Sequence, residues 1–320
     1  MPSAAEVEPR SAWAALPGRL AQMGNHNMAK VAWLGLGVMG YPMAGYLKTR
    51  GGHDVVVYNR TSAKAEKWKE QFGGAIAATP AEAARDCDAV FACVGNDDDV
   101  RSVTIGPDGA FSTLRPGAIY IDHTTASAKV ARELSEIAET RGFKFLDCPV
   151  SGGQSGAENG TLTVMAGGDE AAFAVAEPFI KNYARSARLL GPSGSGQLAK
   201  MANQIAIAGL VQGLAESIHF AECAGLDIQA LIETISKGAA QSWQMENRWQ
   251  TMHARKFDFG FAVDWMRKDL AICFDEAQAN GADLTVTKLV DRFYAEVQEL
   301  GGRRWDTSSL IARLDAKKET

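Results

Sequence analysis

Lys200, Asn203 and Gln204 stand at i, i+3 and i+4 within GSGQLAKMANQ, which puts an amine and two amides on one face of a helix. The residues around them are mostly apolar, so few positions face water. A buried ammonium must find a partner or lower its pKa. A lysine tuned in this way can exchange a proton with an alcohol or carbonyl oxygen near neutral pH. The plainer reading of a lone helix lysine is a solvated or snorkelling side chain.

A second cluster is DCPVSGG, where a strand ends in Ser151 followed by Gly152 and Gly153. A hydroxyl beside bare backbone N–H groups can grip a carboxylate with neutral donors. A simple glycine turn accounts for the same residues. Nothing in the order of Ser, His and Asp residues suggests a nucleophilic serine. A third cluster, FGFAVDWMRKDL, places Lys268 near Phe261 and Trp265 and by itself reads as an amphipathic helix.

The loop Gly35-Leu36-Gly37-Val38-Met39-Gly40 has the spacing G-x-G-x-x-G, follows the apolar run KVAWLG and leads into a helix-like stretch. That is the context a dinucleotide fingerprint requires. Gly35 permits a tight turn, Gly37 lets backbone approach a pyrophosphate, and Gly40 allows close helix packing. The helix N-terminus then supplies N–H groups for the phosphates. At the end of the second strand, where NAD sites place a carboxylate, this chain has Asn59, Arg60 and Thr61. A guanidinium with amide and hydroxyl neighbours suits a ribose 2′-phosphate, so NADP is expected, with NAD possible. An ordinary surface arginine is the competing explanation.

These clusters need elements to position them. From Ala29 to Pro149 short β-branched runs (KVAWLG, DVVVYN, DAVFACV, AIYIDH) alternate with helix-like stretches, the rhythm of a doubly wound parallel sheet. Caps are expected at Thr61 or Ser62, at Thr79 before Pro80, and at Thr125 or Ser127. KFLDCPVSGG and GTLTVMAGG add two strands, which extends the sheet to about residue 190. Residues Gln197 to Ala224 read as one long helix that is apolar around most of its circumference and buried between two bodies. Only helix-like segments follow. The expected class is α/β, with a Rossmann domain over 29–192 joined by a long interdomain helix to an all-α domain over 193–320. Residues 1–28 read as a disordered or non-native extension, with Met28 a natural start.

Composition narrows the partners. The chain has 320 residues, a net charge of −5 and no long basic run, so no nucleic-acid surface is indicated. No run of about 18 uninterrupted apolar residues suggests a membrane span. Five scattered cysteines without C-x-x-C spacing read as free thiols of a reducing cytoplasm, and neither they nor the five histidines suggest a metal site.

Together and in this order, GLGVMGYPMA, DCPVSGG, GSGQLAK and the late KDL resemble the β-hydroxyacid dehydrogenase family, which includes 3-hydroxyisobutyrate dehydrogenases and glyoxylate/succinic semialdehyde reductases. The resemblance runs from about Lys30 to Arg313. It implies that Lys200 is the general acid in reduction and general base in oxidation, and that Ser151, Gly152 and Gly153 bind the substrate carboxylate. It implies that Thr125 lies beside the nicotinamide, that Val94 borders the cofactor, that Lys268 reaches the cofactor, and that Phe261 lies near the substrate. Many members carry asparagine four residues after the lysine. Here Asn203 is at plus three and Gln204 at plus four, and either amide could bind substrate. The resemblance also supports a homodimer or homotetramer. The expected function is hydride transfer between NADP and a small β-hydroxy acid or semialdehyde carboxylate. Imine reduction and a non-catalytic cofactor-binding assembly role are the alternatives, and which hydroxy acid is used does not follow from the sequence.

Overall fold

The computed structural model describes residues 28–316 and divides them into two units. The first comprises the described residues up to Gly152 together with Gly156–Gln197, and the second comprises Gly153–Ser155 with the described residues from Leu198 onward. The expected extension over 1–28 lies, except for Met28, outside the described residues.

The first unit begins with β1 (Lys30–Leu34), α1 (Gly40–Thr49), β2 (Asp54–Tyr58), α2 (Ser62–Phe72) and β3 (Ala75–Ile76). It continues through α3 (Pro80–Ala84), β4 (Ala89–Ala92), α4 (Asp97–Thr104), β5 (Ile119–Asp122), α5 (Ala128–Thr140) and β6 (Lys144–Asp147). The six strands form one sheet in the order β3-β2-β1-β4-β5-β6, and every pairing is parallel. Helices cover both faces, so strand residues are buried whichever way they point. Val31 and Trp33 enter one apolar cluster, Ala32 and Leu34 the other. The strand order reverses between β1 and β4, and it is at such a switch point that open α/β sheets bind ligands beyond their carboxyl ends.

Two strand expectations change. KFLDCPVSGG breaks into β6 in the main sheet and a separate short strand that leaves it. GTLTVMAGG does not extend the main sheet. It supplies β8 (Leu162–Ala166), which follows β7 (Val150–Ser151) and α6 (Gly153–Asn159) and precedes α7 (Glu170–Ile180) and β9 (Ala184–Leu189). The strands β7, β8 and β9 form a separate three-stranded sheet in which β7 is antiparallel to β8. The burial of β8 alternates, as in a sheet with one face covered, whereas β4 and β5 are buried throughout. β3 and β9 were not anticipated, because the two-residue β3 and the arginine-containing β9 lack an apolar run.

The helix caps separate the alternatives. Thr79 accepts the Glu82 N–H at 3.0 Å, with Pro80 in the first turn. Ser127, not Thr125, caps α5, accepting the Val130 N–H at 3.0 Å. Thr61 occupies the cap position of α2 without making a side-chain cap bond.

The long helix α8 runs from Ser195 to Cys223, and α9 (Ile228–Ile235), α10 (Trp243–His253), α11 (Val263–Asn280), α12 (Thr285–Glu299) and α13 (Ala312–Ala316) follow. Its 29 residues span roughly 43 Å. The second unit is helical around a core of Ala208, Ile218, Met252, Met266, Leu270 and Tyr294 with their neighbours. The helix expected to be apolar around most of its circumference and buried leaves one stripe exposed. Ala202, Ala206, Leu210, Gly213, Glu216 and Phe220 form this stripe, with Phe220 71% exposed. All but Glu216 are apolar or small, which is why the composition of that face did not mark it as different from the buried faces. No helix among the described residues is long and apolar enough to cross a membrane.

Candidate active site

The glycine loop is packed from below and open above. A Cβ on Gly35, which has φ +97°, would collide with the Cys93 carbonyl. One on Gly40 would run into the Gly35 carbonyl and lie 2.8 Å from the Trp33 indole nitrogen. The Trp33 indole itself donates to the Gly35 carbonyl at 3.0 Å, so a buried aromatic fixes the turn. Gly37 differs, since a Cβ there would meet nothing within 4 Å. Its smallness serves nothing in the protein, which fits an approach by a phosphate. The first turn of α1 holds no acidic residue and no side chain caps it, so its N–H groups and dipole suit an anion.

Leu36, Val38 and Met39 lie in this loop. The Leu36 N–H is held by the Asn59 side-chain oxygen at 2.8 Å, and the Asn59 amide nitrogen donates to the Thr61 carbonyl at 3.0 Å. Asn59 therefore braces the glycine loop against the end of β2. Arg60 is 86% exposed and lies 3.4 Å from Asp99. An exposed pair of this kind contributes about 0–1 kcal/mol and is readily exchanged for a stronger anion. Val94 follows β4, the fourth strand once β3 is counted, and its N–H donates to the Thr124 hydroxyl at 3.0 Å. Thr125 sits in the loop between β5 and α5.

Beneath these loops lie buried ionisable groups. Asp122 accepts the Thr124 N–H at 3.0 Å, yet burial pushes its carboxyl up to about 7. Asp147 accepts the N–H groups of Gly194 and Gln197 at 2.8 and 2.9 Å, and burial lifts it to about 6. Burial drives His123 down to about 4. Its Nδ1 faces the Cys148 carbonyl at 2.7 Å, which requires the Nδ1–H tautomer, so Nε2 accepts from the Tyr183 hydroxyl at 2.8 Å. His123 is a satisfied core residue.

Ser151 ends β7 and pairs with Thr163. Gly152 and Gly153 follow with φ of +131° and +61°, conformations that favour glycine. This backbone presents its N–H groups at the start of α6.

In the second unit Lys200 is buried. Desolvation lowers its pKa, the Asp269 charge opposes that shift, and Lys268 adds to it. Asp269, 2% exposed, is the residue that the sequence reading passed over. Lys268 forms an ion pair with it at 3.0 Å, and the Gln204 amide nitrogen donates to its other oxygen at 2.6 Å. The other end of Gln204 accepts from Asn203 at 2.9 Å. Gln204 is thus a buried brace for the carboxylate, while Asn203 is the partly exposed amide of the two. Lys268 also lies over Trp265, 5.9 Å from the ring centre. The signal for Asp269 was a carboxylate inside KDL on an otherwise buried helix face. Phe261 is tied by its N–H to Asp306 at 2.9 Å and packs against the helical core.

The five cysteines are free. His219, Glu222 and Asp315 have metal-ligand types within 4.8 Å of one another. However, Arg255 spans both carboxylates, with bonds of 2.7 Å to Glu222 and 2.6 Å to Asp315, so the group is an ion-pair network.

Two family models cover the chain in order. Residues 30–191 match the NAD binding domain of 6-phosphogluconate dehydrogenase, and residues 194–314 match the NAD-binding domain of NADP-dependent 3-hydroxyisobutyrate dehydrogenase. A protein named Uncharacterized oxidoreductase, from Shewanella frigidimarina, is 62% identical over 91% of this chain and 100% of its own length. Probable 3-hydroxyisobutyrate dehydrogenase-like 1, mitochondrial, of Arabidopsis thaliana is 38% identical over 89% of this chain and 85% of its own. Among solved structures, Mycobacterium tuberculosis 3-hydroxyisobutyrate dehydrogenase with L-serine superposes with a TM-score of 0.82 at 30% identity, covering 90% of this chain and 99% of that one. With a glycine loop shaped for a dinucleotide, a buried lysine opposed by a carboxylate, and both halves of the sequence matched, the chain belongs to the β-hydroxyacid dehydrogenase family of NAD(P)-binding oxidoreductases.

Proposed function

We propose that the protein is an NADP-preferring oxidoreductase acting on a small β-hydroxy acid and its semialdehyde, with Lys200 exchanging the proton on the reacting oxygen. The burial of Lys200 on a helix whose polar neighbours are Asn203, Gln204 and Asp269 carries this reading. Bound cofactor supplies the hydride acceptor or donor. In oxidation a neutral Lys200 takes the hydroxyl proton, and in reduction the ammonium returns it. Desolvation brings the two forms closer in energy than in a solvated lysine, while the Asp269 charge keeps the neutral amine from becoming too weak a base. The Ser151 hydroxyl and the N–H groups of Gly152 and Gly153 hold the carboxylate with neutral donors.

Residues Gly35 to Gly40 cradle the pyrophosphate, with Val94, Thr125 and Lys268 as further cofactor contacts. Asn203 orients the substrate, Gln204 supports it through Asp269, and Phe261 lines its apolar side. Arg60 takes the 2′-phosphate. The exposed stripe on α8, with Leu210 and Phe220, supports self-association as a homodimer or homotetramer. Light scattering that returned a monomer mass would remove that part.

The test is a panel of small 3-hydroxy acids and semialdehydes assayed with NADP(H) and NAD(H). Turnover of a carboxylate-bearing alcohol with higher kcat/KM for NADP(H) is the expected result. Absence of turnover across the panel defeats the substrate class, and equal efficiency with both cofactors defeats the NADP preference. Arg60→Ala should weaken NADPH binding by about tenfold to a hundredfold while sparing NADH, the range for a charge-assisted bond.

A further inference from the structure

Gln197 is 1% exposed and spends both ends of its carboxamide on one short loop. Its oxygen accepts the Ala126 N–H at 3.0 Å, and its nitrogen donates to the Thr124 carbonyl at 2.7 Å. Only Thr125 lies between these two anchors. The loop leaves β5 and has no strand beside it there, so the glutamine stands in for a ladder partner. Side chains hold the flanking backbone too. The Thr124 N–H bonds Asp122 at 3.0 Å, and the Ser127 N–H bonds Asp97 at 2.8 Å. The Thr124 hydroxyl in turn accepts from Val94 at 3.0 Å, which couples the loops after β4 and β5.

Gln197 is itself immobilised. Its N–H bonds the Asp147 carboxylate at 2.9 Å, and the other oxygen of that carboxylate takes the Gly194 N–H at 2.8 Å. A Cβ on Gly196 would collide with the Asp147 carbonyl, so the start of α8 lies flush on the end of β6. A rigid chain of atoms thus runs from β6 through Gln197 to the loop around Thr125, all within the first unit.

A dinucleotide lies across the strand ends at the switch point. With Asn59 to Thr61 at the end of β2 taking the adenosine side, the loops after β4 and β5 fall to the nicotinamide side. We propose that Gln197 is a positioning residue for the nicotinamide half of the cofactor, holding the 124–126 loop in the shape that receives the ring. This rests on the dehydrogenase reading above. The residue type follows from the geometry. Glutamate would set an acceptor against the Thr124 carbonyl, and methionine, of similar shape, would leave two buried backbone groups unpaired.

The experiment titrates full-length wild type, Gln197→Met and Gln197→Glu with whichever of NADPH and NADH binds tighter, and with the matching adenosine fragment, 2′,5′-ADP or ADP. Dinucleotide affinity should fall by about tenfold or more, the scale of an unmade buried bond, while fragment affinity holds. A merely structural residue would weaken both in the same ratio or neither, and either result overturns the proposal. Should the variants fail to fold, amide exchange in the wild type reads the same point. The Ala126 N–H should be further protected by the dinucleotide and not by the fragment, and equal protection by the two overturns it. Wild type that binds neither dinucleotide takes the proposal down together with the dehydrogenase reading, whereas wild-type binding with an unchanged ratio in the variants overturns Gln197 alone.

Discussion

The two units solve the problem of holding a charged reactant by opposite means. In the first unit the proposed phosphate-binding element is backbone. Its glycines are dictated by collisions with Cys93, Gly35 and Trp33, and one of them, Gly37, by open space. The ionisable groups nearby, Asp122, Asp147 and His123, are buried so that each is pushed toward its neutral form. In the second unit the proposed chemistry rests on side chains of opposite charge, Lys200 and Lys268 around Asp269. A binding surface for a phosphate can be made from dipoles that never titrate. A group that must gain and lose a proton needs a charge kept close to its balance point.

The sharpest break of this comparison is Lys200→Ala. It should cut kcat by about 10²–10⁴, the scale of a general acid–base, with NADPH affinity retained. Lys200→Arg should not restore turnover, because guanidinium stays protonated. Oxidation needs neutral lysine, so its rate should rise with pH through a pKa below the ordinary 10.5. Asp269→Asn removes the charge that favours the ammonium and should move that limb to still lower pH. Near-normal turnover in a folded Lys200→Ala would overturn the mechanism and assign the proton to another group.

A pair of glycine substitutions separates backbone that serves the fold from backbone that serves the ligand. Gly40→Ala should lower the melting temperature, since its Cβ has no room. Gly37→Ala should leave the melting temperature near wild type and weaken dinucleotide binding by about tenfold, the scale of one lost bond. Equal melting temperatures for both variants would show that the packing beneath the loop has been misjudged.

The smallest effect is a pH dependence of stability. The folded-state pKa of Asp122 is raised to about 7, so its contribution is present at acidic pH and lost as pH rises from the carboxylate range through about 7. His123, lowered to about 4, contributes with the opposite sign, its share being lost as pH falls through that region. Comparing wild type with Asp122→Asn isolates the first. The melting-temperature advantage of wild type should shrink from pH 5 to pH 7.5, and a constant difference would mean that Asp122 does not titrate over that interval.

Local patterns carried much of this molecule. Five of the six strands of the main sheet, the glycine loop, the turn at Ser151 and the helix bearing Lys200 were legible because each depends on near neighbours, through periodicity or through glycine at a turn. What only the tertiary structure decided depends on residues far apart in the chain. GTLTVMAGG has the composition of a sheet strand, but only its pairing with Val150–Ser151 and Ala184–Leu189 assigns it to a separate sheet. Gln204 reaches Asp269 across 65 residues, and Gln197 reaches Ala126 across 71. A buried carboxamide looks the same in sequence as a solvated one, because its value comes from the donor and acceptor that folding brings to it. The exposed stripe of α8 was hidden for the converse reason. Alanine, glycine and leucine at helical spacing mark a face that packs, but burial is a property of what arrives against it.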